Sequence, residues 1–147
     1  MDMDMGAGYD PLTIAEGVAE FVVLAELSTA LSERLVGWST DGADPDSSAV
    51  MASLGARLAE HSTWWTERIA ESVLLDGERT TASASGSGRL AEVLGLLDVE
   101  GSDRTAAVVP VLERLMAYLG ALTERLSPVG DAPARRTIRL VLADLED

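Results

Sequence analysis

A chain of 147 residues, 47% hydrophobic and 4% aromatic, suits a single domain whose core is built from Leu, Val, Ala and Ile. Its 25 acidic residues outnumber its 11 basic ones, all Arg, for a formal charge of −14, and no basic cluster exceeds Arg135, Arg136 and Arg139, so nucleic acid and anionic membranes are poor partners. With no Cys, thiolate catalysis, disulfides and Cys-ligated metals are excluded.

No apolar run reads as membrane-spanning and the N-terminus lacks a basic start, which makes the cytoplasm the expected location. The lack of Lys, Asn and Gln beside abundant Ala, Gly and Leu resembles coding from a high-GC genome such as an actinobacterium's.

Residues 1–9 read as a disordered tail ahead of a single domain over residues 10–147. Asp10-Pro11 offers an N-cap and a first helical position. The helix it opens runs to about Trp38, with Leu24, Leu27, Leu31, Leu35 and Trp38 on one stripe, widened by Ile14, Val18 and Phe21. Val22, Val23 and Ala30 lie off that stripe, which points to a second face covered by a partner. The Gly-, Pro- and Asp-rich stretch 39–45 is a turn. Asp46 or Ser47 caps a second helix to about Leu75, striped by Met51, Leu54, Leu58, Trp65 and Ile69.

Residues 76–88 are dominated by small polar side chains and read as a flexible loop. A short helix follows over about 89–97, with Leu90, Val93, Leu94 and Leu97 on its apolar side. The next helix spans about Arg104 to Leu126, striped by Val108, Leu112, Leu115, Leu119, Leu122 and Leu126, with Pro110 in its early turns. Asp131 caps a last helix carrying Ala134, Ile138, Val141 and Leu145. No stretch alternates with strand period. Four main helices with short connections predict an all-α, antiparallel four-helix bundle with one extra short helix after the loop.

Two polar residues fall inside the apolar stripes. Glu20 precedes Leu24, Leu27 and Leu31 on its helix, and His61 lies between Leu58 and Trp65 on the core side of the second. A buried carboxylate is costly unless paired, and antiparallel packing would set the imidazole near it. One reading is an acid–base pair in a mid-bundle pocket lined by Phe21, Leu24, Leu58 and Trp65. Others are a satisfied contact that specifies packing, or a helix rotated so that Glu20 reaches the rim. Trp65 reads as packing. Trp64, on the flank beside Arg57 and Arg68, is a candidate for a helix seam, a dimer contact or a ligand mouth.

The segment His61-Ser62-Thr63-Trp64-Trp65-Thr66-Glu67-Arg68-Ile69 resembles the His-Ala-x-x-Trp-x-x-Arg-Leu segment of an actinobacterial family of uncharacterised ferritin-like proteins. Residues Asp131 to Asp144 resemble that family's ending, Asp-Ala-Pro-Thr-x-Arg-x-Leu-Arg-Leu-Val-Leu-x-Asp. The resemblance implies a ferritin-like bundle. The superfamily's di-iron centre takes a Glu from each of two helices and Glu-x-x-His from each of the others. Here Leu58 stands three residues before the lone His61, and Glu113 and Glu124 fall outside the apolar stripe. The ligand set is thus degenerate, no cofactor is expected, and Glu20, His61 and Asp144 are the candidates for a single ion.

The expected function is a non-catalytic bundle acting through self-association, as a homodimer, or through a helical protein partner. The alternative is a metal-independent enzyme or apolar small-molecule binder of specialised metabolism that uses Glu20 and His61.

Overall fold

The computed structural model describes residues 11–69, 76–99 and 103–146; the expected tail over residues 1–9 lies outside them. Among the described residues all regular structure is helical: α1 (Ile14–Thr40), α2 (Ser48–Glu67), α3 (Asp76–Leu96), α4 (Arg104–Thr123) and α5 (Ala132–Glu146).

Thr13, not Asp10, is the cap of the first helix, Pro11 lies ahead of it outside the helix, and Asp10 lies outside the described residues. The Thr13 hydroxyl accepts the Glu16 N–H at 3.1 Å and the Glu16 carboxylate accepts the Thr13 N–H at 2.9 Å. This capping box satisfies two backbone donors that a helix start otherwise leaves open. Ile14, expected on the core stripe, is the first residue of the helix and is exposed. The helix ends at Thr40, and Gly42, at φ +73°, turns the chain in the left-handed conformation that only glycine adopts without cost. Ser47 sits at the cap position of α2, but its hydroxyl donates to the Asp44 carboxylate at 2.6 Å. The second helix ends at Glu67, shorter than expected; residues 70–75 lie outside the described set.

Residues 76–88, expected to form a loop, belong to α3. Ala82 and Gly86 bring this part of α3 close to α1. Ala82 is buried against Val18 and Val22, and a Cβ on Gly86 would lie 3.0 Å from a Val23 methyl. The off-stripe face of α1 around Val22 and Val23, expected to await a partner, is therefore covered from within the chain.

Contacts along the helices fix their directions. Ala25 and Thr29 of α1 meet Ser62, and Ser32 and Val36 meet Gly55, so α1 and α2 run oppositely. Helix α3 runs with α1, from Ala82 beside Val22 to the Leu94 carbonyl near Arg34. Helix α4 runs against α1: Arg104 reaches Asp41, and Tyr118 reaches Glu20. Helix α5 folds back, its Arg135 donating to the Thr123 and Leu126 carbonyls at 3.0 Å and its far end reaching α2.

The shared interior holds Leu24, Leu31, Leu35, Leu58, Trp65, Leu119 and Ile138, each at most 2% exposed. Helix α4 is long and apolar enough, by length and composition, to cross a membrane, which the sequence reading did not expect. Its Val108, Val111, Leu115 and Leu119 nevertheless face this interior, and Glu113 and Arg114 interrupt it midway.

Candidate functional site

His61 is fully buried, and its Nε2 lies 2.8 Å from an Asp144 carboxylate oxygen on α5. An ionised carboxylate can only accept, so Nε2 carries the proton. The Arg57 guanidinium donates to the Asp144 backbone carbonyl at 2.8 Å, satisfying one of the acceptors a helix leaves open at its C-terminal end. Half-buried Trp64 lies against the imidazole, ring centroids 5.2 Å apart, and shields it. One buried His, one carboxylate and one Arg thus tie the middle of α2 to the end of α5.

Glu20 belongs to a different neighbourhood. It is half-buried and accepts a hydrogen bond from the Tyr118 hydroxyl of α4. Burial raises its pKa above the ordinary carboxylate value; the positive charges of Arg125 and Arg89 oppose that shift, and Glu16 adds to it. His61 pairs instead with Asp144, and its neighbour Ser62 meets α1 at Ala25, five residues beyond Glu20. At 1.5 Å per residue that is about 7.5 Å along the helix axis. The expected acid–base pair is therefore not assembled, because the two helices turn these residues toward different neighbours, α4 for Glu20 and α5 for His61. Of the ion candidates Glu20, His61 and Asp144, only the last two meet. Among the described residues no group of three His, Asp or Glu side chains is placed to hold a metal.

Phe21, Leu24, Leu58 and Trp65, expected to line a pocket, are all buried. Phe21 stacks on Trp65, with centroids 6.1 Å apart and planes 11° from parallel, and Leu58 is wholly buried. Leu24 of that set borders open space. A cleft of about 250 Å³ lies between α1, α3 and α4. Leu24 and Leu27, Leu90 and Val93, and Val111 and Leu115 face it from the three helices, and Glu26, Arg89, Arg114 and Tyr118 supply polar groups. The Tyr118 hydroxyl links this cleft to Glu20. A second, more open groove of about 610 Å³ runs between α2, α4 and α5, with Val50, Leu54, Val109, Leu112 and Met116 along it and Arg57, Glu113 and Asp144 among its polar residues.

Tyr118, Arg89 and Arg114 escaped the sequence reading. Gly86, Arg89, Leu90 and Val93 recur at spacings of three and four on one face of α3. That signal was available only to a reader who continued the helix back through residues 76–88. The chain matches no known family, no curated protein and no solved structure.

Proposed function

We propose that the protein is a non-catalytic binding protein, an antiparallel helical bundle of ferritin-like kind without a metal centre, that holds a small apolar ligand between α1, α3 and α4. The observation that carries this reading is the cleft itself. Aliphatic side chains from three helices converge on open space, with a few polar groups among them, the usual make-up of a ligand pocket. Its volume of about 250 Å³ lies just under the roughly 300–1,000 Å³ of most such pockets, which calls for a small ligand. Glu20 and His61 are each engaged by separate partners, which favours binding over acid–base turnover.

Titration with the neutral apolar dye N-phenyl-1-naphthylamine tests this. Saturable fluorescence enhancement is expected. It should be lost in Leu90→Trp, which fills the cleft from a partly exposed position, while the circular dichroism of the helices is kept. Enhancement that never saturates, or that survives the substitution unchanged, would overturn the reading.

One observation favours self-association as a second reading. Helix α4 is strongly apolar, yet only 33% of its most apolar stretch is buried. Val109, 45% exposed, and Val50, 63% exposed, flank the α2–α4–α5 groove. The groove carries both Arg57 and Glu113, so a two-fold-related copy would present opposite charges to it.

A further inference from the structure

We infer that the ligand of the α1–α3–α4 cleft is a monoanionic amphiphile, a short aliphatic tail ending in a carboxylate held between Arg89 and Arg114. This rests on the cleft being a ligand site and goes on to specify the ligand's chemistry. Arg89 and Arg114 both line this cleft, one from α3 and one from α4.

The two also sit at one level. Helix α3 touches α1 at Gly86 against Val23, and Arg89 stands one turn further on, about 4.5 Å along α3. Helix α4 touches α1 at Tyr118 against Glu20, and Arg114 precedes Tyr118 by one turn, about 6 Å. Because α3 runs with α1 and α4 against it, both steps lead the same way along α1. Arg89 and Arg114 therefore stand at a similar level on α3 and α4, and both line the cleft.

Two guanidinium groups and one carboxylate, Glu26, line the cleft, a sum of +1, with Glu20 behind Tyr118 adding a more distant negative charge that acts on Arg89. Planar guanidinium groups match a carboxylate in shape and in donor geometry. The aliphatic walls beyond them take the tail. At about 30 Å³ for a group the size of water, a cleft of about 250 Å³ holds roughly eight such groups.

Competition against bound N-phenyl-1-naphthylamine by octanoate, octanol and octylamine tests the inference, with direct calorimetry of octanoate as a second measurement. Octanoate is expected to bind at least about tenfold more tightly than octanol, a typical difference for hydrogen bonds to a charged group, and octylamine more weakly still. In Arg89→Gln and Arg114→Gln the octanoate-to-octanol preference should fall about tenfold. Dye binding with no preference for octanoate, or with octylamine preferred, overturns the anionic head group and leaves the apolar site intact. Failure of both dye and octanoate to bind overturns the site and the ligand together.

Discussion

At the level of single residues, two carboxylates give the fold opposite responses to acid. Asp41 receives both guanidinium nitrogens of Arg104, at 2.9 and 2.6 Å, and Arg104 also lies 4.8 Å from the centre of the Trp38 ring. Chiefly through the Arg104 hydrogen bonds, the Asp41 pKa is lowered from 3.8 to about 2. The stabilisation from a lowered carboxyl pKa is fully present above the unfolded value and is lost as pH falls through the folded one. Arg104→Leu should therefore lower Tm at neutral pH, and the gap from the parent should close between about pH 4 and pH 2. Glu20 has the reverse sign. Burial raises its pKa, so its ionised form destabilises the fold above the raised value, and that cost is relieved as pH falls through it. Glu20→Gln keeps an acceptor for Tyr118 and should raise stability at pH 7.5 by about 1 kcal/mol or less, since the group is partly solvated. The gain should vanish as the medium becomes acid enough to protonate Glu20 in the unfolded chain as well. Thermal melts of both variants from pH 8 to pH 2 separate the two effects. A Glu20→Gln gain that grew toward low pH would contradict the assignment.

Between elements, the α1–α2 seam depends on small residues. Ser32 donates to the Gly55 carbonyl at 2.6 Å, and Ser62 donates to the Ala25 carbonyl at 3.1 Å. With the Ser62 proton committed there, the 2.6 Å contact between Thr29 and Ser62 has Thr29 as donor. A Cβ on Gly55 would lie 2.8 Å from a Val36 methyl and 3.3 Å from the Ser32 carbonyl oxygen. Valine in a helix has one strongly preferred rotamer and cannot easily swing aside. Gly55→Ala should thus cost about 1–3 kcal/mol by overpacking, despite alanine's better helix propensity. Urea denaturation measures this, and a stabilised variant would show that the helices are further apart than described. The same seam shows what periodicity can and cannot reveal. The stripes of α4 and α5 were legible because Leu and Val at spacings of three and four have only one economical use, and Val108, Leu115, Leu119, Ile138 and Val141 are buried accordingly. Small residues are ambiguous: Ala82 and Gly86 read equally as linker or as close packing, and only the facing Val18, Val22 and Val23 decide between them. The inward turn of His61 was also legible, since it is fully buried, whereas Glu20 is only half-buried. Which neighbour each residue faces is a property of the assembled helices, so Tyr118 for Glu20 and Asp144 for His61 had no local signature.

For the molecule as a whole, the charge of −14 and the partly uncovered apolar side of α4 act against each other. Repulsion between two copies reaches over a Debye length, about 30 Å at 0.01 M salt but only about 3 Å at 1 M. The attraction of Val50, Val109 and Met116 for a second copy is short-ranged and survives salt, which if anything strengthens apolar association. Self-association through the α2–α4–α5 groove should therefore appear as salt is added, whereas association through Arg57–Glu113 pairs alone would fade. In sedimentation equilibrium the mass should rise from 15.5 kDa in roughly 0.01 M salt toward twice that value in roughly 1 M. Val109→Glu places a charge on the exposed side of α4 away from the core and should keep the protein monomeric at both salt levels. If the variant dimerises as readily as the parent, another face makes the contact. If the parent stays at 15.5 kDa throughout, the groove is not a self-association surface.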